Sequence, residues 1–256
     1  MRRRVFSHYI DIVIVLAKKD FKLRYRNSAL GFLWSLLNPL AYMVILTVVF
    51  SILLRSSIPN YPTFVLMALM IWRFFQVATT QSLYSIISNP SLVSRVYLPR
   101  TLIVLSSNLA NLFGSSIEFM VLLPLLFLLG VHPDIHALFL PAIILMEFLL
   151  VFSVSLLLAS LNLKYRDVSQ IWEIAVQLGF FLSPIIYDES AIPLRYKFLY
   201  SLNPITRLVE ATRGIFLQQQ LPPLSDMFIL LSVTGLILLV GLAVFQHLQA
   251  TFAEDL

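Results

Sequence analysis

The chain has 256 residues, of which 59% are hydrophobic and only 12% charged, with a formal net charge of +5. A water-soluble domain carries about 25% charged residues, so this composition excludes an ordinary soluble protein. Cysteine is absent, which excludes a disulfide framework and a thiolate metal site.

Met1 to Arg4 resembles the basic start of a signal peptide, but Asp11, Lys18, Lys19 and Asp20 interrupt the next twenty residues, so no cleavable leader is expected. Ile10, Ile14, Ala17 and Phe21 share one helical face, with Lys19, Lys22 and Arg26 nearly opposite. This predicts an amphipathic helix within residues 1–30, lying in a membrane interface with its cations toward headgroups or a partner protein. The basic residues are gathered beside an apolar segment, so membrane lipids are the expected partner and nucleic acid is not.

A helix needs roughly 20 apolar residues to cross the hydrocarbon core. Residues 27–54 carry no charge, 56–94 only Arg73, 101–133 only Glu118, 135–163 only Glu147, 168–187 only Glu173, and 227–253 none. Six spans are predicted, near 32–54, 61–88, 101–129, 137–162, 168–186 and 226–248, in one transmembrane domain over 31–256. Helices are expected because an open strand edge in lipid leaves backbone groups unpaired, and the segments are too long and continuous for barrel strands. The fold class is therefore an all-α integral membrane protein. An even number of spans puts both termini on one side. That side would hold twelve Lys and Arg against five on the other, which predicts cytoplasmic termini and a multi-pass membrane protein.

Residues 188–223 are too charged to cross and too apolar for a free linker. Ser190 with Pro193, and Asn203 with Pro204, pair a polar cap with an early proline, the signature of a helix start. Two short helices dipping back into the membrane fit this pattern; a surface helical hairpin is the alternative.

Motifs for catalysis are lacking. There is no G-x-x-x-x-G-K-[ST] phosphate loop, no H-E-x-x-H and no G-x-S-x-G, and the His132/His136 pair has Pro133 between its members. No metal or cofactor is expected on this chain. Two stripes do suggest a function. Trp172, Val176, Phe180, Ser183 and Tyr187 fall on one face of the fifth span, and Ser35, Asn38 and Tyr42 on one face of the first. Aromatic faces pack on sugar rings without demanding one hydrogen-bond pattern, so both stripes are candidates for lining a sugar-conducting path. Helix-to-helix packing and an interfacial aromatic belt are the alternatives.

Counting at 1.5 Å per residue from the span ends puts Arg73, Glu118 and Glu147 at a common depth near the bilayer centre. A lone charge there costs at least about 2.5 kcal/mol. The three are therefore expected to pair inside the bundle, with Glu118 the first partner of Arg73.

The sequence resembles the permease subunits of ABC exporters that move polysaccharides, including O-antigen, capsule and teichoic-acid permeases. The resemblance runs nearly end to end through "DFKLRYRNSALGFLWSLLNPL" (20–40), "NPSLVSRVYLPR" (89–100), "LNLKYRDV" (161–168), "FFLSPIIY" (180–187) and "LNPITRLVEATRG" (202–214). It departs from the family at Ala68 in "VLMALMIWRFF", where glycine is usual, and at Ser94, where lysine is common.

The resemblance implies a homodimer that recruits two copies of a separate ATPase chain, on which ATP and Mg would reside. It implies a cargo of polysaccharide linked to undecaprenyl diphosphate, O-antigen first among the classes. Lys22, Arg24 and Arg26 would meet the lipid diphosphate. Val93, Arg95, Val96, Tyr97 and Leu98 would form a coupling helix seated on the ATPase, and Leu199, Asn203, Ile205, Arg207 and Glu210 would belong to two outward gate helices. The expected role is thus a channel-forming transport subunit and not an enzyme. A drug or small-lipid exporter on the same fold, and an ATP-independent intramembrane flippase or glycosyltransferase, are the alternative readings.

Overall fold

The computed structural model describes residues 2–26, 28–95, 98–250 and 252, and among these it is all helix and turn, with no strand. Ten α-helices succeed one another: α1 (Arg2–Arg24), α2 (Leu33–Leu46), α3 (Tyr61–Leu83), α4 (Pro90–Arg95), α5 (Thr101–Leu128), α6 (Leu140–Lys164), α7 (Val168–Leu182), α8 (Leu194–Leu202), α9 (Pro204–Arg213) and α10 (Leu224–Leu248). Wider π-type turns extend α2 over Thr47–Leu53 and α9 over Gly214–Gln218.

Among the described residues, five helical segments are long and apolar enough to cross a membrane: Leu33–Leu53, Tyr61–Leu83, Thr101–Leu128, Ile135–Lys164 and Leu224–Leu248. The span expected over 168–186 is a shorter helix that stops at Leu182. Ser183 leaves the helix at φ −102°, ψ 148°, as the residue before a proline tends to do, because the Pro184 ring crowds the α conformation of its predecessor. The chain beyond it, in turns and bends, still continues the path. Trp172 lies beside Phe75, Phe180 beside Trp72, and the Ile186 carbonyl accepts the Tyr61 hydroxyl at 2.9 Å. Helix α7 and its non-helical tail therefore run antiparallel to most of α3.

Helix α3 is the centre of the bundle. From Tyr61 to Trp72 nearly every side chain is buried, against α2, α5, α6, α7 and α9. A second apolar cluster closes the Leu83 end, where Ile86 and Val93 meet Ile103, Leu156, Leu163 and Phe245. Helices α6 and α10 run parallel and touch closely: a Cβ on Gly241 would lie 2.8 Å from the Ser153 carbonyl oxygen. Such backbone proximity is a common way for helices to associate where lipid supplies no hydrophobic drive.

Helix α1 packs along α5. The face it turns to the protein passes through Val13, Ala17, Phe21 and Arg24, while Ile10 and Ile14 are exposed. The predicted apolar face is thus divided, with Phe21 on the Phe113 ring (5.0 Å between centroids) and the two isoleucines left outward.

Candidate functional site

The burial of α3 changes character halfway along. Beyond Trp72 the open positions are Arg73, Gln76, Val77, Thr80, Gln81 and Tyr84. Steps of three and four place them on one face of the helix. Five of the six are polar or end in a hydroxyl, although this helix belongs to an apolar bundle. Lipid offers such a stripe no hydrogen bonds, so it requires a wet or polar neighbour.

The stripe forms the floor of a groove of about 610 Å³. One wall is α2, with Asn38, Pro39 and Tyr42, and the other is α7, with Val176, Gln177 and Phe180. Arg73 is held on the floor by Glu118, whose Oε2 is 3.3 Å from its Nε, and by a second bond from Nη1 to the Asn38 side-chain oxygen. Toward the Tyr61 end the groove reaches past Trp72 to Leu69, with rings packed beside it. Trp72, Phe75, Trp172 and Phe180 form a chain with centroids about 6 Å apart, a spacing at which aromatic pairs attract. Gly179 makes room for it.

Of the expected lining residues, Asn38, Tyr42, Val176 and Phe180 reach this groove. The other four do different work. Ser35 is buried and bonds the Tyr25 hydroxyl at 3.0 Å. Trp172 packs on Phe75, and Ser183 is buried where its hydroxyl accepts the Asn203 amide at 3.1 Å. The Tyr187 hydroxyl donates to the Phe181 carbonyl and meets the Tyr200 hydroxyl at 2.8 Å. Gln76, Thr80 and Gln81 were not anticipated. Their signal was available as polar residues recurring at helical spacing inside an apolar span.

Glu147 does not join the arginine. It is fully buried in α6, both carboxylate oxygens lack a hydrogen-bond partner, and no salt bridge reaches it among the described residues. Depth arithmetic gives a height along the bundle and not a direction around it. That is why Glu118 meets Arg73 and Glu147 does not.

Two short helices, α8 and α9, occupy the segment before α10. Asn203 caps α9 by accepting the Ile205 amide at 3.0 Å, and Pro204 occupies the first helical position. The turn between them lies beside Ser183, in the stretch after α7 between Phe180, which meets Trp72, and Ile186, which Tyr61 bonds. Ile205 is buried, Leu199 exposed, and Arg207 bonds the Ser201 carbonyl at 2.9 Å and Asp226 at 2.7 Å.

The tie that secures α9 was not read from the sequence. Arg213 is 1% exposed and donates to the carbonyls of Phe64 (3.3 Å) and Ile185 (3.0 Å) and to Glu210 (3.0 Å). Its guanidinium also sits over the Phe64 ring. The pair floors a second cleft of about 660 Å³, which Asn60, His132, Asp188 and Gln219 also line. There a Ser190 hydrogen bond holds the Asp188 carboxyl below its usual range against the opposing effect of burial.

At the Leu83 end, Lys22 and Arg26 are exposed, whereas Arg24 is engaged with Gln81 and Asn111. Arg24 therefore closes the end of the groove and is not free on the surface. Lys19 donates to Asn89 at 2.7 Å, at the start of α4, and Arg100 bonds the Gln249 carbonyl. Val93, expected at a partner's surface, is 6% exposed and belongs to the protein's own core, with Leu98 packed against the same cluster. An apolar side chain on a short helix gains more from that cluster than from water. The side chain of Arg95, and Val96 and Tyr97 entirely, lie outside the described residues.

The profile of the family described as ABC-2 type transporter matches residues 12–217. The chain belongs to that family. It is 32% identical to the O-antigen export system permease protein RfbA of Klebsiella pneumoniae, over 98% of this chain and 96% of the relative. A protein of the same name from Myxococcus xanthus is 29% identical, over 99% and 98%. The polysialic acid transport protein KpsM of Escherichia coli is 23% identical, over 96% of each chain. As an ABC-2 permease the chain is a membrane transport subunit of a family that works with an ABC ATPase. Its groove is the natural place to look for the path of a transported molecule.

Proposed function

We propose that this permease forms one wall of a conduit for lipid-linked polysaccharide, most closely of the O-antigen class, leaving the cytoplasm across the inner membrane. The observation that carries the reading is the polar stripe from Arg73 to Tyr84 on an otherwise buried central helix. The groove above it is open along one side, which suits a second copy as the facing wall and hence a homodimer. ATP and Mg would be handled by two copies of a separate ATPase, since this chain carries no phosphate loop. The names of the relatives support the substrate class, and the carrier is proposed to be undecaprenyl diphosphate.

In this reading both termini are cytoplasmic, in keeping with the distribution of Lys and Arg. The sixth crossing is α7 with its non-helical tail, and α8 and α9 form a re-entrant gate on the outer side. The depth of the Asn203 turn beside Ser183 supports re-entrance. The loop from Asn89 to Arg100 would seat on the ATPase, and Lys22 and Arg26 would attract the lipid headgroup. The test is deletion of the gene and analysis of surface and intracellular polysaccharide. Loss from the surface with accumulation of the lipid-linked polymer inside is the expected result. An unchanged surface polymer would reject the substrate class, and export that continues without the ATPase would reject the partner.

A further inference from the structure

Arg73 is not used up by its two bonds. Nε is committed to Glu118 and one Nη1 donor to Asn38, but a guanidinium has five N–H donors in a planar fork. Three remain. The side chain is 20% exposed, against 13% for Glu118, and only Arg73 of the two lines the groove. It is also the one charged side chain among the groove's described lining residues. Seen from the groove, then, the charge presented is positive and its partner lies behind.

A second cation stands on the same path. Arg24 binds Gln81, which belongs to the same stripe. The eight residues from Gln81 to Arg73 rise about 12 Å along the helix. Glu118 lies in the field of both arginines. Beyond Arg24, toward the Leu83 end, Lys22 and Arg26 are exposed. A purely structural ion pair needs neither unused donors on the groove side nor a second arginine below it.

We infer that Arg73 is an anion-binding station inside the groove, taking a phosphate or diphosphate group that has passed Arg24. The free edge of a guanidinium matches two phosphate oxygens in a bidentate fork. Glu118 sets the strength of the station. Its negative charge behind the arginine keeps the anion from being held too tightly to move on. The inference rests on the export reading for the origin of the anion as a lipid headgroup, and the shared chemistry is that of a phosphate.

The test is equilibrium binding of labelled farnesyl diphosphate, inorganic pyrophosphate and farnesol to the full-length protein in nanodiscs of zwitterionic lipid. The variant that removes the station without stranding a charge is Arg73→Gln with Glu118→Gln. It should bind farnesyl diphosphate about tenfold more weakly or worse, the worth of a charge-assisted hydrogen bond. Glu118→Gln alone should bind it more tightly than wild type. Pyrophosphate binding with the same dependence on Arg73 would support a phosphate site open to free ligand; binding of the farnesyl form alone would support a headgroup site.

Wild-type affinity in the double variant overturns the inference, and so does Glu118→Gln that binds no more tightly. If affinity then falls in Lys22→Gln with Arg26→Gln, the export reading survives without the station. Farnesol bound as well as farnesyl diphosphate overturns both.

Discussion

A Cβ placed on Gly179 would lie 2.9 Å from the edge of the Trp72 ring. Real Cβ atoms do not approach that closely, and Trp72 is buried between Phe75 and Phe180, so its ring has little room to retreat. Gly179→Ala should therefore destabilise the protein by about 1–3 kcal/mol, the cost of overpacking a core. Thermal unfolding in detergent would show it. Adding Trp72→Phe, which removes the clashing ring edge, should recover part of the loss. No shift in Gly179→Ala would mean that α7 slides freely on α3.

The pairing of Arg73 and Glu118 makes a prediction about non-additivity. Arg73→Leu alone leaves a mostly buried carboxylate without its ion-pair partner, and should cost roughly 3 kcal/mol, the low end for a buried pair. Arg73→Leu with Glu118→Gln leaves no unpaired charge there and should cost less. A double-mutant cycle of unfolding midpoints reads the coupling directly; simple addition of the two effects would show that the bond contributes nothing.

Glu147 predicts the opposite sign. It is buried with no hydrogen-bond partner, and a polar group in that position costs stability. Glu147→Leu breaks no bond and should raise stability by about 1–3 kcal/mol. Destabilisation would point to a partner that binds the carboxyl in the assembled transporter.

Coupling to the ATPase should run through the Asn89–Arg100 loop. Replacing Arg95 and Tyr97 together by alanine is expected to abolish transport and permease-stimulated ATP turnover while membrane insertion stays intact. Lys19→Met, which removes the brace on Asn89, should weaken coupling less severely. Normal turnover in the Arg95/Tyr97 double variant would take the loop out of the mechanism.

For the proposed gate, a cysteine at Ile205 should resist impermeant thiol reagents at rest, because the native side chain is 4% exposed. It should label during transport. Leu199 on the neighbouring helix is exposed within the chain, so a cysteine there reports whether lipid or a second copy covers it. Equal labelling of position 205 in both states would leave α8 and α9 as a static hairpin.

Much of the architecture could be read in the sequence because each long helix is an uncharged run bounded by charge, a signal that survives without tertiary information. A proline in the first position of α9 and the asparagine cap before it likewise announce a helix locally. What escaped was direction around an axis. Gln76, Thr80 and Gln81 barely disturb a hydropathy count, and only the burial of the rest of α3 shows that they share an open face. Arg213 read as one more cation in a polar segment, whereas packing makes it a fully buried hub joining Glu210 to two carbonyls. Val93 read as a surface residue of a short loop, because most of its apolar neighbours lie ten to about 160 positions away. The aromatic stripe on α7 was visible, but the break at Ser183 turned its last two members toward other duties.

The half-buried, half-open character of α3 has a mechanical consequence. Its first three turns are surrounded by packed side chains, and shifting or rotating them would tear contacts on every side at once. The helix is thus the stator of the machine. Any stroke driven from the Leu83 end must be carried by parts outside this packed collar, such as the exposed α8, which rests on α9 and α10, while the polar floor stays in register with whatever slides along it.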